Sequence, residues 1–206
     1  SSDLGISSFF PTLVYKERID KNNRQVRALN EQLLKEILQL PQEDFAGVEW
    51  SQKNYPNGFT SYASANQMHI MSPTFAELES KIKKHVQKYI RSLELQTSAQ
   101  ALNMSTCWAN IMPAGTFHTS HNHPQSLISG TYYVQMPRGA SAIKFEDPRY
   151  PQFMYRAPQK LSAKKQTYHS ISAQPGDLIL FESWLRHEVP LNTTQSPRIS
   201  VSFNYS

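Results

Sequence analysis

Apolar residues recur at steps of three and four through two long stretches of the first half of the chain. In "DKNNRQVRALNEQLLKEILQLP" the repeat is Val26, Leu29, Leu33, Ile37 and Leu40. It predicts an amphipathic helix with Asp20 as its cap and Pro41 as its stop. In "SPTFAELESKIKKHVQKYIRSLEL" the repeat is Phe75, Leu78, Ile82, Val86, Tyr89 and Leu93. Here Ser72 is placed to cap, and Pro73 sits at the first helical position, where a missing N–H costs nothing. The intervening "GVEWSQKNYPNGFTSYASANQ" reads as a loop bearing Gly, Asn and Tyr.

Near residue 100 the pattern changes to short runs rich in β-branched and aromatic residues. These are "LNMSTCWANIM", "LISGTYYVQM", "SAIKF", "TYHSISA", "DLILF" and "RISVSFNYS". Turn signals such as "MPAG", "MPRG", "EDPRYP" and "AQPGD" separate them. Many short strands with such punctuation predict a sandwich or barrel. The expected architecture is mainly β with N-terminal helices, on a double-stranded β-helix core (a cupin-like jelly roll). It is expected to be one domain over 1–206, with 1–99 as N-terminal strand and helical support and 100–206 as the core carrying the site.

The chain is 39% hydrophobic and 18% charged, which fits a folded globular chain rather than a disordered one. The formal net charge is +5, with much of the clustered charge in "KIKKHVQKYIR". No stacking motif accompanies that run, so it reads as a solvated helix face rather than a nucleic-acid footprint. With a single cysteine, Cys107, no intrachain disulfide can form. That fits a reducing compartment, and the expected location is the cytoplasm. No apolar run has the length of a membrane span, and "SSDLGISSFF" lacks the regions of a signal peptide.

The stretch "FHTSHNHPQS" holds three of the seven histidines. On a strand, His121 and His123 share a face, whereas His118 has the opposite parity and needs a bend or bulge to join them. Two adjacent imidazoles make a poor core, and a metal ion answers their demand for partners. A wet turn with exposed histidines is the plain alternative. Sixty residues on, "PGDLILFESWLRHEVPLN" carries His187, and on the last strand Arg198 and Ser200 again share one face. Arg198 wants an anion, either a bidentate carboxylate ligand or one of the chain's own acidic residues.

The ordered set H-x-H, a distal His, and R-x-S resembles the iron(II)- and 2-oxoglutarate-dependent oxygenases. Within them it looks most like a group of small oxygenases with an H-x-H motif, known largely from sequence. The lines that carry the resemblance are "CWANIMPAGTFHTSHNHPQSLISGTYYVQMP", "IKFEDPR" and "PGDLILFESWLRHEVPLN…RISVSFNY". It covers residues 100–206 well and the "FFPTLVY" start loosely. The family's usual site is H-x-D or H-x-E plus a distal His. Here His123 fills the carboxylate slot. It can serve as third ligand, which is the preferred reading. Alternatively His121 and His187 stand alone, or Glu146 or Asp147 comes in from another strand.

The resemblance implies an Fe(II)/2-oxoglutarate dioxygenase, a hydroxylase of a small molecule or peptide that also uses dioxygen. It implies His121, His123 and His187 as metal ligands. Arg198 and Ser200 would hold the far carboxylate of 2-oxoglutarate, with Tyr133 and Asn110 beside them. Two other readings stay open. One is a cupin-like three-histidine dioxygenase that needs no 2-oxoglutarate. The other is a non-catalytic metal- or ligand-binding module, since one fold hosts many functions. Substrate identity and oligomeric state are not legible. The long loops "NYPNGFTSYASANQMH" and "DPRYPQFMYRAPQK" are expected to line the substrate side.

Overall fold

A computed structural model describes residues 9–96, 101–149, 151, 154 and 166–206. The chain opens with strand β1 (Val14–Arg18). Helices α1 (Asn23–Glu43) and α2 (Phe45–Asn54) follow, then β2 (Phe59–Thr60), α3 (Met68–Met71) and α4 (Pro73–Ser92). The second half is β3 (Met104–Met112), β4 (His118–His121), β5 (Ile128–Gln135), β6 (Ile143–Glu146), β7 (Tyr168–Ile171), β8 (Asp177–Glu182), β9 (His187–Val189) and β10 (Arg198–Tyr205).

The helices form where the apolar repeats predict them, with two local differences. Asn22 rather than Asp20 caps α1, its side chain accepting from the N–H groups of Arg24 and Gln25; Asp20 instead receives the Asn22 N–H. Pro41 lies inside the last turn of α1 and does not end it. The Asp44 N–H reaches the Leu40 carbonyl, and the Asp44 carboxylate then caps the next helix by accepting from Gly47. Helix α2 thus occupies a stretch whose composition reads as loop. Ser72 and Pro73 start α4 as expected.

The strands form a six-stranded sheet, β1-β8-β5-β10-β3-β2, and a four-stranded sheet, β4-β9-β6-β7. All the strand pairings are antiparallel. This is the expected jelly roll with helices on one side. On the outer face of the large sheet, Cys107, Ala109, Ile111, Tyr132, Leu178, Leu180, Val201 and Phe203 pack with the buried stripes of α1 and α4. Each fully buried aliphatic or Phe there contributes ~1.5–3 kcal/mol. The inner face differs. Successive inward residues of β10 are Arg198, Ser200, Ser202 and Asn204, and β3 and β5 set Asn110, Ser129 and Thr131 among them. A sandwich interior lined with this much polarity is a binding cavity rather than a dry core.

The basic run of α4 is partly neutralised, with Lys81 paired to Asp20 and Lys88 to Glu17. Cys107 is buried and free, and burial pushes its thiol up to about 12. No helix among the described residues is long and apolar enough to cross a membrane.

Candidate metal centre

His121, His123 and His187 converge at one end of the cavity, each offering one nitrogen within 4.8 Å of the others. Donors ~2.1 Å from a shared ion lie roughly 3–4 Å apart, so the set is of metal-binding size. Two elements and a loop build it. His121 ends β4 and lies opposite His187 on β9. His123 lies beyond the strand, where its N–H is held by the Ser183 carbonyl at 2.9 Å. Strand parity is therefore not what joins His121 and His123. The chain turns after His121 and Asn122 is exposed, yet the two rings still approach to 5.2 Å between centroids.

Backbone carbonyls orient two of the imidazoles. His121 Nδ1 lies 2.7 Å from the Thr119 oxygen, and His187 Nδ1 lies 2.9 Å from the Leu185 oxygen. A carbonyl only accepts, so each Nδ1 carries the proton and each Nε2 keeps a lone pair toward the cluster. His123 Nε2 faces His187 Nε2 at 3.3 Å. Burial, with help from neighbouring imidazoles, holds His123 at about 4 and His187 at about 3. The neutral form that ligates metal is thus the form present at neutral pH.

The two carboxylates considered as alternative ligands are engaged elsewhere. Asp147 is gripped by Arg149 at 2.6 and 2.8 Å, and Glu146 accepts from Arg186 at 3.2 Å. His118 does not belong to the cluster, as expected, but the physical reason differs. A bulge between His118 and His121 overrides strand parity and leaves His118 on the cavity wall, its ring 4.4 Å from that of Tyr55.

Arg198 is only 2% exposed and ranks among the largest fully buried side chains. Its NH1 reaches Ser200 Oγ at 3.4 Å and the Met112 sulfur at 3.9 Å, and its Nε has no partner. Among the described residues no carboxylate pairs with it, which removes the surface-salt-bridge reading. Tyr133 lies behind it, the guanidinium 5.1 Å from the ring centre, and its buried hydroxyl is also unpartnered. Asn110 stands opposite Ser200 on β3 and donates to Ser202 Oγ at 3.1 Å. The cavity holds about 570 Å³ and runs from the histidines to Arg198. A row of rings is part of its lining, Tyr62 from a loop expected there and Trp50 and Trp108 not singled out by the sequence. Trp50 touches Tyr62 (6.1 Å between centroids), Tyr62 touches Trp108 (5.1 Å), and Trp108 touches His123 (5.9 Å). Of the two loops expected on the substrate side, the first supplies Tyr55 and Tyr62, while most of "DPRYPQFMYRAPQK" lies outside the described residues.

Three imidazole donors and a buried arginine, with no acidic partner among the described residues, thus line one cavity, a set that could hold a divalent ion and an anion. Residues 106–204, just under half of the chain, match the family described as "Putative 2OG-Fe(II) oxygenase". These residues form a 2OG-Fe(II) oxygenase domain. Among solved structures, the oxygenase fold is shared by EctD from S. alaskensis (14% identity, TM-score 0.66, 100% of this chain and 78% of that one). A prolyl-4-hydroxylase from Pseudomonas putida shares it too (12%, 0.56, 94% and 92%), as does HygX from Streptomyces hygroscopicus (12%, 0.59, 95% and 83%). At such identities the likeness is one of fold. No curated protein matches the chain.

Proposed function

We propose that this oxygenase is an iron(II)- and 2-oxoglutarate-dependent hydroxylase of a small molecule or peptide, with residues 1–206 acting as one domain in the cytoplasm. The observation that carries this reading is Arg198, buried and without an acidic partner among the described residues, in a cavity that three convergent imidazoles also line. His121, His123 and His187 hold the iron through nitrogens whose lone pairs already point inward. Arg198 and Ser200 take the far carboxylate of the keto-acid, with Asn110 at the side and Tyr133 behind the guanidinium. Bound iron, with the keto-acid and dioxygen, supplies the oxidising power for attack on a C–H bond.

Charge supports the pairing of ion and cofactor. The three ligands are neutral, so the protein places no anion on the metal. A dianionic keto-acid balances a divalent ion where a carboxylate ligand would have left net negative charge. The aromatic row of Trp50, Tyr62 and Trp108 walls the substrate approach and keeps water from the metal side. The test is anaerobic addition of iron and then 2-oxoglutarate, which should give a weak visible charge-transfer band, followed by a substrate screen for succinate release. The all-imidazole ligand set also favours a second reading, a three-histidine dioxygenase that uses no 2-oxoglutarate. There Arg198 would bind an anionic substrate, and no such band would form.

A further inference from the structure

Besides Arg198 and Tyr133, a third side chain of this region carries a buried polar atom with nothing to bond among the described residues. The Tyr55 hydroxyl belongs to a side chain that lines the cavity, is 5% exposed as a residue, and has no hydrogen-bond partner among the described residues. A buried phenol left without a partner costs roughly 1–3 kcal/mol, so it calls for an explanation. Burial raises this phenol well above its usual range, and the positive charge of Arg198 acts in the opposite direction. Tyr55 and Arg198 both line the cavity. Tyr55 also packs with Met112, the residue whose sulfur touches Arg198 NH1.

The local sequence is built to hold this ring still. "YPNG", Tyr55 to Gly58, has the form of a type II turn. Pro56 sits at the second position, Asn57 at the third has φ +65°, and the Gly58 N–H returns to the Tyr55 carbonyl at 3.0 Å. At its start the Tyr55 N–H is fixed by the Ser51 carbonyl at 2.7 Å, the end of α2. After the turn β2 pairs with β3, with Thr60 opposite Asn110. Gly58 passes so close that a Cβ there would sit 2.3 Å from Tyr55 Cε1, and His118 covers the ring from another side at 4.4 Å. A clamped ring with an idle hydroxyl is what a preformed ligand contact looks like before the ligand arrives.

We propose that Tyr55 is a further binding residue of the anion seat, its hydroxyl donating to the far carboxylate of the keto-acid beside Arg198 and Ser200. This rests on the reading under Proposed function. It makes the α2–β2 connection, which lies outside the matched residues 106–204, part of the cofactor pocket. A carboxylate offers about four lone-pair positions, and the arginine fork, the Ser200 hydroxyl and this phenol can occupy them together.

The experiment is calorimetric titration of anaerobic, iron-loaded protein, with no turnover involved. Tyr55→Phe keeps the ring and its packing. It should weaken 2-oxoglutarate binding about 10- to 100-fold, the loss of one hydrogen bond to a charged group, at wild-type iron affinity. 2-Oxobutyrate lacks the far carboxylate and should bind variant and wild type alike. If Arg198→Ala loses 2-oxoglutarate while Tyr55→Phe does not, the seat is complete without Tyr55 and the assignment is overturned. Equal loss of both keto-acids in Tyr55→Phe also overturns it, since the residue would then only shape the pocket. If the wild-type protein takes up no 2-oxoglutarate, the proposed function itself falls, and this inference with it.

Discussion

His123 Nε2 stands 3.3 Å from His187 Nε2, two ring nitrogens pointed at each other from a loop and a strand. His187 keeps its proton on the far nitrogen, at the Leu185 carbonyl. Only a shared proton or a cation can lie between two such atoms, because facing lone pairs repel. With a ring nitrogen of His121 also within 4.8 Å of its partners, a cation satisfies all three.

Anaerobic iron titration of ligand variants tests this. His121→Ala and His187→Ala should each abolish binding. His123→Asp, which recreates the common H-x-D pattern, should retain some affinity, whereas His123→Leu should lose much of it. Wild-type affinity in both alanine variants would place the metal elsewhere. A crystal structure with His123 turned from the ion would remove it from the ligand set.

Arg198→Ala should weaken 2-oxoglutarate binding by roughly 2–5 kcal/mol and leave iron affinity nearly unchanged. The loss combines a missing bidentate contact with an unpaired ligand charge. Undiminished 2-oxoglutarate affinity would favour the three-histidine enzyme that does without it.

Gly130→Ala should destabilise the fold by about 1–3 kcal/mol or more. A Cβ there would meet Phe203 Cζ at 2.5 Å, Leu180 Cδ2 at 2.7 Å and the Ile179 backbone oxygen at 2.8 Å. The side chains can shift, but the central-strand oxygen cannot. Chemical denaturation reads the cost, and a midpoint equal to wild type would show that β5 and β8 part more easily than their register suggests.

The pH dependence of stability should carry a contribution from His85, far from the metal site. Burial holds this imidazole below its usual value, and the Lys88 charge acts the same way. The Ile19 carbonyl at Nε2 and the carboxylates of Glu17 and Asp20 pull upward, and Tyr15 meets Nδ1 at 2.7 Å. The unfolded chain therefore takes up a proton near pH ~6.5 where the folded chain does not. The stabilisation is complete above that pH and declines as pH falls below it. His85→Gln should flatten the fall in melting temperature between pH 7 and 5 relative to wild type. An identical slope in the variant would show that His85 titrates alike in both states.

Much of this was legible in the sequence. The spacing of Val26 through Leu40 and of Phe75 through Tyr89 marks both long helices, and the R-x-S pair does fall on one face of β10. Other features depend on contacts that a linear pattern does not carry. Helix α2 forms because Asp44 closes one helix and opens the next, a junction that the loop-like composition around it hides. The bulge that turns His118 toward Tyr55 leaves no mark in "HTSH". Tyr55 was readable in principle, since "YPNG" is a turn signature, but the sequence does not say that its ring ends in the same cavity as an arginine far along the chain.

The two faces of the large sheet have different duties. Val201 and Phe203 lean on the helices, while Ser200 and Ser202, their immediate neighbours in the chain, face the cavity. Cohesion is drawn from one side of the strand and chemistry from the other. Trp108, Thr131 and Ser202 can therefore be exchanged without touching the packing of α1 and α4. Such a protein is open to retailoring: a new reaction partner can be accommodated by redecorating one wall, while the buttress behind it stays as it is.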